Sequence, residues 1–507
     1  MTALLTPDEM RAADVEACAR DGEVALMRAA GCRISELIRL RHASGRIVAF
    51  AGPGSNGGDA FAALAELGEG FERIIYAAEN DTPSPARADA IERAREAGVE
   101  IAALPTSHDG ATAALAGACC ALDGLFGTGA HLPLGDAYRA AARALDRARL
   151  DVIAIDIPSG VDARTGAVDT DGVRASATIA LAALKPGLLL QPARERAGEL
   201  WVARIGIDDA TLAAHARTFA ALDDDAFLDM LPARAADADK RGAGAPLLIA
   251  GSEQFPGAAV LCARGAARAG AGYVTVAAPA AAAPALRAHL LEQVVVTMLD
   301  GTADACADDL LDLTARCGAV AIGPGLGLDD RTGHVVRSFV ARTNLPLVLD
   351  ASALFHFAKR LDLLHAKRCV VTPHEGEFAR LSGKGTIAPG ERVARLREFT
   401  ARTGIVTLLK GSATLVDDGS TMHINPTGTP ALATAGTGDV LTGMIATLLS
   451  QGLAPLDAAR AGAYWHGLAG ELCARQRVVG VIAGDVPEAL AAALPERRER
   501  APLLRYA

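Results

Sequence analysis

The sequence predicts an α/β protein made of two three-layer, doubly wound domains, at residues 1–215 and 222–498. Three observations support this prediction. Short, continuous apolar runs alternate with amphipathic stretches in both halves, which is typical of parallel sheets covered by helices on both faces. The chain of 507 residues is too long for one ordinary domain. Residues 208–245 interrupt the alternation with acidic clusters, proline and glycine, and we interpret them as a linker and a domain entry.

Composition excludes several classes of function. The net charge of −10 argues against nucleic-acid and anionic-membrane partners, and an aromatic content of 4% argues against base stacking. Nine scattered cysteines without a CxxC pair match neither a disulfide framework nor a zinc site, so we expect free thiols in a reducing compartment. Residues 1–20 are charged throughout, and no apolar run reaches the ~20 residues of a membrane helix. We therefore expect a soluble, cytoplasmic protein.

Polar motifs follow the predicted strands of the first half. Those strands are residues 46–50, 73–77, 118–122 and 151–155. The motifs are GPGSNGGD at 52–59, DGLFGTG at 123–129 and DIPSGVD at 156–162. The first lacks the spacing of a dinucleotide fingerprint and the lysine of a P-loop. Asn56, Asp123 and the region of Ser159 can supply hard oxygen ligands to a cation, although each Asp taken singly is equally a helix or turn cap.

Four motifs also follow predicted strands or precede a helix in the second half. The predicted strands are residues 246–252, 272–276, 319–323, 345–350, 369–372 and 405–410. The motifs are GPGLG at 323–327, TPHEGE at 372–377, KGSAT at 410–414 and GTGD at 436–439. Because ligands bind at the carboxyl ends of parallel strands, we expect these motifs to form one site.

The segment AGTGDVLTGMI, residues 435–445, is the most informative part of the chain. It predicts a glycine-containing loop that leads into a helix, where unpaired N–H groups and the helix dipole favour phosphate. Asp439 would then lie beside that phosphate and could accept a proton from an attacking hydroxyl. For a GxGD sequence on its own, a capped turn is an equally good interpretation. The accompanying motifs favour the functional one.

Taken together, the motifs of the second half resemble the ribokinase-like superfamily, and within it the ADP/ATP-dependent NAD(P)H-hydrate dehydratases. The resemblance covers residues 225–495 and is sharpest at TPHEGEF (372–378) and NPTGTPALATAGTGDVLTG (425–443). It implies dehydration of the S hydrate of NAD(P)H at the expense of ADP, giving AMP and phosphate, with Mg²⁺ as cofactor. Ala435 departs from the family, where relatives often have glycine.

The resemblance assigns roles to residues of the second half. Asp439 matches the catalytic base. The hydrated nicotinamide would contact Ala258, Gly325, His374 and Asp439. The nucleotide would bind Lys410, Gly411, Ser412, Ala413, Thr414 and Gly438. Transfer of a phosphoryl group to the hydrate's hydroxyl would convert a poor leaving group into phosphate, which the ring nitrogen then expels.

The first half resembles the NAD(P)H-hydrate epimerase domain, a Rossmann-like fold, over residues 5–210. The resemblance implies a potassium ion ligated by Asn56, Asp123 and Ser159, and makes Asp156 the catalytic group that assists loss and return of the added hydroxyl. The hydrate would contact Ser55, Asn56, Gly57, Gly58, Asp59, Gly127, Thr128, Gly129, Ala130, His131, Leu132, Pro133 and Asp156. Ser55 and Ala60 depart from the family's usual Asn and Gly.

Both resemblances together imply a bifunctional metabolite-repair enzyme, since hydration produces both epimers and the dehydratase accepts only the S form. They also imply a homo-oligomer. Two other classes stay open at this point: a vitamin or sugar kinase that releases a phosphorylated product, and a non-catalytic nucleotide-binding regulator. The sequence does not decide between ADP and ATP, or between NADH and NADPH hydrates.

Overall fold

The structure, a computed structural model, describes residues 2–129, 132–234, 236–297, 301–388, 390–477, 479–496 and 503–506. The chain forms two compact units. The N-terminal unit comprises Thr2–Ala220 together with Glu499–Ala507, and the C-terminal unit comprises Ala221–Arg498. In the described part of the chain, no helix has the length and apolar character needed to cross a membrane.

The N-terminal unit alternates strands and helices. In chain order its elements are β1 (Thr2–Leu4), α1 (Pro7–Asp21), α2 (Glu23–Arg41), β2 (Gly45–Ala51), α3 (Ser55–Glu66), β3 (Phe71–Ala77), α4 (Pro85–Glu96), β4 (Glu100–Ala103), α5 (His108–Ala114), β5 (Ala118–Gly124), α6 (Asp136–Arg147), β6 (Asp151–Ile155), β7 (Ala177–Leu181), a 3₁₀ turn (Pro186–Leu189), α7 (Arg194–Ala197), β8 (Glu199–Ala203), α8 (Asp209–His215) and β9 (Phe219–Ala221). A capping box between Thr6 and Glu9, with Pro7 in the first turn, fixes the start of α1.

Among the described residues, the sheet of this unit has eight strands in the order β19-β8-β7-β6-β5-β2-β3-β4, where β19 is Leu503–Tyr506. The seven strands from β8 to β4 are parallel, and β19 is antiparallel to β8. Alternate residues of β2 enter different buried clusters, Ile47 and Ala49 on one face and Val48 and Phe50 on the other. Both faces are therefore covered, as in a three-layer fold. The chain moves outward in opposite directions from β2 and β5, so a crevice opens at the carboxyl ends of these two strands.

The C-terminal unit repeats the alternation and ends in helices. Its elements are α9 (Asp224–Met230), β10 (Pro246–Ile249), α10 (Pro256–Arg268), β11 (Thr275–Ala278), α11 (Ala283–His289), β12 (Val294–Thr297), α12 (Ala303–Thr314), β13 (Ala319–Ile322), α13 (Asp330–Arg342), β14 (Leu347–Leu349), α14 (Ser352–Phe357), a 3₁₀ turn (Leu361–Leu364), β15 (Cys369–Val371), α15 (Glu375–Ser382), α16 (Arg392–Thr403), β16 (Val406–Leu409), β17 (Leu415–Asp417), β18 (Met422–Ile424), a 3₁₀ turn (Pro430–Leu432), α17 (Thr437–Ser450), α18 (Pro455–Gln476) and α19 (Asp485–Ala489). After it, β19 (Leu503–Tyr506) pairs antiparallel with β8 of the N-terminal unit.

Within the C-terminal unit the strands follow the order β12-β11-β10-β13-β14-β15-β16-β17-β18. Pairing is parallel from β12 to β16, and β17 and β18 continue the sheet antiparallel. The sequence predicted no strand at β17 or β18, each of which has only three residues. The direction of the strand order reverses between β10 and β13, which places a second crevice there.

Two segments differ from the predictions. Residues 208–245, interpreted as a linker and domain entry, contain α8, β9 and α9. The strand predicted at 272–276 begins only at Thr275, because the N–H groups of Gly272 and Tyr273 bind the carbonyl of Gly244 instead of pairing with a strand. A short apolar run shows that a strand exists more reliably than it shows where pairing begins.

Helices α10 and α17 cross at two glycines, which allow the backbones to approach closely. A methyl group at Gly443 would lie 1.9 Å from the carbonyl oxygen of Cys262, and one at Gly265 would lie 2.4 Å from that of Val440. We expect Gly443→Ala to destabilise the C-terminal unit by about 1–3 kcal/mol through overpacking. Chemical denaturation measures the change. Gly257→Ala, in α10 with open space around it, is the matched control and should unfold like the wild type.

Candidate active sites

Asp439 lies in the first turn of α17. The helix follows Gly436, whose φ of 96° favours glycine and whose added methyl group would lie 2.5 Å from the side chain of Leu261. The Asp439 side chain is half-buried. Burial, and next the nearby charge of Asp350, raise the pKa of Asp439 to about 7. A carboxylate with this pKa can accept a proton efficiently near neutral pH.

A cation and two further carboxylates surround the start of α17. Lys410 Nζ donates to Asp350 Oδ1 at 2.7 Å and lies 4.0 Å from Glu377 Oε2. Asp350 Oδ2 accepts a hydrogen bond from Thr442 Oγ1 at 2.8 Å. Burial on its own would lower the pKa of Lys410, but the carboxylates of Asp350 and Glu377 raise it. A methyl group at Gly438 would lie 3.3 Å from Lys410 Nζ, so this ammonium is directly beside the helix backbone.

The loop from Lys410 to Thr414 connects β16 to β17. Its position is fixed by Arg392, which donates to the carbonyls of Ala413 at 2.8 Å and Lys410 at 3.1 Å. Gly411 and Ser412 are exposed, while Ala413 is buried. The guanidinium thus supports both ends of the loop and leaves its tip exposed. Such a tip is suited to contact a ligand.

His374 caps helix α15. Its Nδ1 accepts hydrogen bonds from the N–H groups of Gly376 at 3.0 Å and Glu377 at 3.3 Å, and Glu377 Oε2 accepts from the His374 N–H at 2.8 Å. Since Nδ1 is an acceptor, Nε2 carries the proton of the neutral ring. The side chain is 60% exposed, so the imidazole is accessible to a ligand.

Ala258 and Gly325 lie against each other at the reversal between β10 and β13. Gly325 has a φ of 68°, and an added methyl group would lie 2.9 Å from the Ala258 side chain and 2.4 Å from the carbonyl oxygen of Phe255. The N–H of Gly251 donates to the carbonyl of Pro324 at 2.8 Å. The predicted substrate contacts Ala258 and Gly325 thus lie side by side near the carboxyl ends of these strands.

The N-terminal unit contains a cavity of about 560 Å³ at the carboxyl ends of β2 and β5. Its walls include residues of helix α1, the segments 53–56 and 125–129, Asp156 and Lys185. The predicted hydrate contacts that line it are Ser55, Asn56, Asp59, Gly127, Thr128, Gly129 and Asp156. This volume lies in the range of ordinary small-molecule sites.

Asp156 directly follows β6 with a φ of 66°, an unusual conformation for a residue other than glycine. Lys185 Nζ and the N–H of Leu181 both donate to Asp156 Oδ1, and Lys185 also donates to the carbonyl of Leu181 at 3.0 Å. Lys185 is 1% exposed, so its charge depends on this carboxylate for compensation. Backbone strain and a buried ion pair at one residue are typical of functional sites.

Gly127 brings Asn56 and Asp156 together. A methyl group at this glycine would lie 3.2 Å from Asn56 Oδ1 and 3.2 Å from Asp156 Oδ2. Gly57 and Gly58 lie behind the cavity wall, because added methyl groups would lie 2.1 Å from the carbonyl oxygen of Gly52 and 2.6 Å from the Met27 side chain, respectively. These two glycines allow the first turns of α3 to pack closely against their neighbours and do not line the cavity.

Asp123 and Ser159 are fully buried and hydrogen-bonded to each other. The Ser159 hydroxyl donates to Asp123 Oδ1 at 2.6 Å, and the Ser159 N–H donates to Asp123 Oδ2 at 2.7 Å. Burial raises the pKa of Asp123 to about 6, although the hydrogen bonds from Ser159 lower it. In the described part of the chain its hydrogen-bond donors, from Ser159 and Leu125, are uncharged, so a bound cation would compensate the charge of this carboxylate. Together with Asn56, these oxygens fit the preferences of a hard monovalent ion.

Two family descriptions match the chain. The family described as NAD(P)H-hydrate dehydratase matches residues 246–492, and the one described as YjeF-related protein N-terminus matches residues 23–187. The bifunctional NAD(P)H-hydrate repair enzyme Nnr of Moorella thermoacetica is 36% identical over 482 residues, 91% of this chain and 91% of the relative. That of Thermofilum pendens is 33% identical over 486 residues, 92% and 91% of the two chains.

The chain belongs to the bifunctional NAD(P)H-hydrate repair enzyme family. Both the predicted family and the predicted α/β fold class of this repair enzyme are confirmed. Among solved structures, an ADP/ATP-dependent NAD(P)H-hydrate dehydratase from Bacillus subtilis, co-crystallised with ATP and Mg²⁺, is 30% identical, covers 55% of this chain and 97% of its own, and has a TM-score of 0.45.

Some predicted site residues of the repair enzyme lie elsewhere or outside the described residues. Ala130 and His131 are not among the residues that the structure describes. Leu132 and Pro133 are described but are not part of the cavity wall. The Pro133 side chain is exposed.

The sequence patterns did not identify every residue at these sites. Asp350, Thr442 and Arg392 in the C-terminal unit, and Asp14 and Lys185 in the N-terminal unit, contact or line the sites without having been predicted as site residues. Asp350 carried a usable signal, because it is the last residue of a predicted strand, as Lys410 is. Asp14 lies within a helix of ordinary composition, and no local pattern distinguishes it.

Proposed function

We propose that this repair enzyme restores NAD(P)H from its hydrates in two steps. The N-terminal unit interconverts the R and S hydrates, and the C-terminal unit dehydrates the S hydrate at the expense of ADP, releasing NAD(P)H, AMP and phosphate. The observation that carries the proposal is the half-buried carboxylate of Asp439 in the first turn of α17, beside Lys410. This arrangement combines a base with a site for phosphate.

The dehydration follows from the groups around Asp439. This carboxylate accepts the proton of the hydrate's hydroxyl, whose oxygen attacks the terminal phosphoryl group of ADP, and AMP leaves. The ring nitrogen lone pair then expels phosphate, and loss of a proton from the adjacent ring carbon restores the dihydronicotinamide. The N–H groups at the start of α17 and the ammonium of Lys410 stabilise the negative charge that develops on the phosphoryl oxygens.

Each remaining predicted contact of the C-terminal unit has a place in this proposal. The exposed tip of the loop from Lys410 to Thr414 holds the nucleotide, with Gly438 at the helix start. Ala258, Gly325 and the Nε2–H of His374 face the nicotinamide. In nucleotide sites, Mg²⁺ is usually bound by one or two carboxylates together with the phosphates. Asp350 and Glu377 would bind Mg²⁺ in this site. When bound, Mg²⁺ neutralises charge on those phosphates.

In the N-terminal unit, Asp156 is the acid–base group beside the hydrate, and Lys185 is its ion-pair partner. Asn56, Asp123 and Ser159 would hold potassium, whose charge compensates the buried Asp123.

We also propose domain limits of 1–215 and 222–498, a homo-oligomeric assembly and a cytoplasmic location. The nine free cysteines support a reducing compartment.

The test is incubation of the full-length chain with a mixture of R and S hydrates of NADH, with ADP or with ATP. Recovery of reduced-nicotinamide absorbance from the entire mixture, with one AMP per NADH when ADP is supplied, supports both steps. Recovery that stops at the S fraction removes the epimerase assignment. Accumulation of a stable phosphorylated hydrate would instead indicate a kinase, and no consumption of nucleotide would indicate a regulator.

Dehydration should depend on pH through Asp439. The base acts only when ionised, and its raised pKa means that the ionised form is lost as pH falls through about 7. We therefore expect kcat/KM for the S hydrate to fall tenfold per pH unit below about 7 and to be constant well above it. Initial rates in overlapping buffers measure the profile. A profile that falls as pH rises from about 6 to about 8 contradicts the assignment.

Potassium should stabilise the N-terminal unit whether or not substrate is present. An ion that binds only the folded state contributes roughly 1.4 kcal/mol at ten times its Kd. Calorimetry in KCl should therefore show a higher unfolding temperature than in tetramethylammonium chloride of equal ionic strength. Asp123→Asn should abolish the difference between the two salts. Equal unfolding temperatures for the wild type in both salts would contradict the proposed potassium site.

A further inference from the structure

Helix α1 supplies one wall of the cavity in the N-terminal unit. It contributes Pro7, Met10, Arg11, Asp14, Val15 and Cys18 to the lining, and Asp156 lies in the wall of the same cavity. Asp14 is half-buried. Among the residues that the structure describes, none donates a hydrogen bond to its carboxylate or forms an ion pair with it. A carboxylate that lines a cavity without a protein partner is available to a ligand.

Epimerisation at the hydroxyl-bearing ring carbon needs two proton transfers. The hydroxyl must be protonated to leave as water from one face of the ring, and a new water must lose a proton as it adds to the other face. One carboxylate cannot contact both faces of a bound ring at once. A pair of acid–base groups in one cavity satisfies the requirement.

We propose that Asp14 is the second acid–base group of the epimerase, acting with Asp156 across the bound hydrate. This inference rests on the proposed epimerase function. In one direction, protonated Asp14 gives its proton to the hydroxyl, the carbon–oxygen bond breaks, water leaves, and the ring nitrogen lone pair forms a carbon–nitrogen double bond. Ionised Asp156 takes a proton from the water that then adds to the opposite face.

The cycle balances without any other reactant. It ends with Asp14 ionised, Asp156 protonated and the other epimer formed, and this form of the enzyme catalyses the reverse reaction with the two roles exchanged. Proton exchange with solvent resets the pair. No electrons are gained or lost, and one water leaves for each that adds.

Electrostatics support the assignment. Burial raises the pKa of Asp14 to about 6, with the charge of Lys185 lowering it and that of Asp156 raising it. Asp59 in the same wall is more deeply buried, and its pKa is raised well above the ordinary value by burial and by Asp156 and Asp14. The other titratable or charged groups of the lining are Arg11, Cys18, Glu23, Asp156 and Lys185. Asp14 can thus exist in both forms near neutral pH, as a group that alternates roles requires.

The experiment follows conversion of purified R hydrate to S by the full-length chain in KCl without nucleotide, with the spontaneous rate subtracted. We expect Asp14→Asn to lower kcat for interconversion by at least about 100-fold. The wild-type rate should fall as pH rises above about 6, and this dependence should disappear from the residual rate of Asp14→Asn. Asp14→Glu should restore part of the activity and the pH dependence. Asp21→Asn, an exposed change in the same helix, should match the wild type.

Three outcomes overturn the inference while leaving the proposed function intact. They are an Asp14→Asn rate within threefold of wild type, a lower rate with the pH dependence retained, and a loss that Asp14→Glu does not restore at all. If the wild type itself fails to accelerate interconversion, the epimerase function fails rather than this assignment. ADP-dependent dehydration of the S hydrate, measured on the same samples, tests the other unit separately.

Discussion

Replacing Asp439 by asparagine is expected to lower the rate of S-hydrate dehydration by about 10²–10⁴-fold. Asparagine has nearly the same shape as aspartate but cannot accept the proton of the attacking hydroxyl. The helix start, Lys410 and the loop that follows it are unchanged, so ADP should bind within about threefold of wild type. Initial rates with S hydrate and titration calorimetry with ADP measure the two quantities.

The control for this change is Asp304→Asn. Asp304 also lies in the first turn of a helix, α12, but its side chain is 75% exposed, and it pairs with His334. The variant should dehydrate the hydrate like the wild type. If Asp439→Asn turned over hydrate within about tenfold of wild type, another group would have to be the base, and the mechanism proposed for the C-terminal unit would be wrong.

Separating Lys185 from Asp156 should produce the second large effect, on both stability and activity. The ammonium of Lys185 is almost wholly removed from water, and Asp156 is its carboxylate partner. Removing one member of such a pair leaves an uncompensated charge, which costs about 3–5 kcal/mol. We expect Asp156→Asn to cause such a loss, since the Lys185 charge then stays buried. Epimerisation should be abolished at the same time.

A double-mutant cycle isolates the pair. Lys185→Met replaces the cation by a side chain of similar length, and the double variant Asp156→Asn/Lys185→Met contains neither charge. We expect the double variant to be more stable than Asp156→Asn, because the buried charge has been removed. Hydrogen exchange resolved by peptide in a denaturant series reports each unit separately, so the C-terminal unit serves as internal reference. Additive losses would show that the two residues do not stabilise each other.

The sequence predicted those site residues that lie next to a recognisable strand end or helix start, and it did not predict those that only the tertiary fold brings to the site. Asp439, Lys410 and Asp156 stand at strand ends or a helix start, and the periodicity of the chain locates those ends. Lys185 and Asp14 lie on a turn and a helix that reach the cavity only through the tertiary fold. Their spacing in the sequence therefore gave no indication. The antiparallel strands β17 and β18 were missed because each has only three residues, too few for a period-two pattern to be recognised.

The pairing of β19 with β8 makes the N-terminal unit discontinuous in sequence. The chain leaves this unit at Ala220 and re-enters it at Glu499. In topological terms the C-terminal unit is an insertion between two pieces of its neighbour. A single cut near residue 220 would consequently remove β19 and make β8 the edge strand of the isolated fragment. A circular permutant that joins residues 499–507 to the start of the chain would allow the two activities to be studied apart while β8 keeps its pairing with β19.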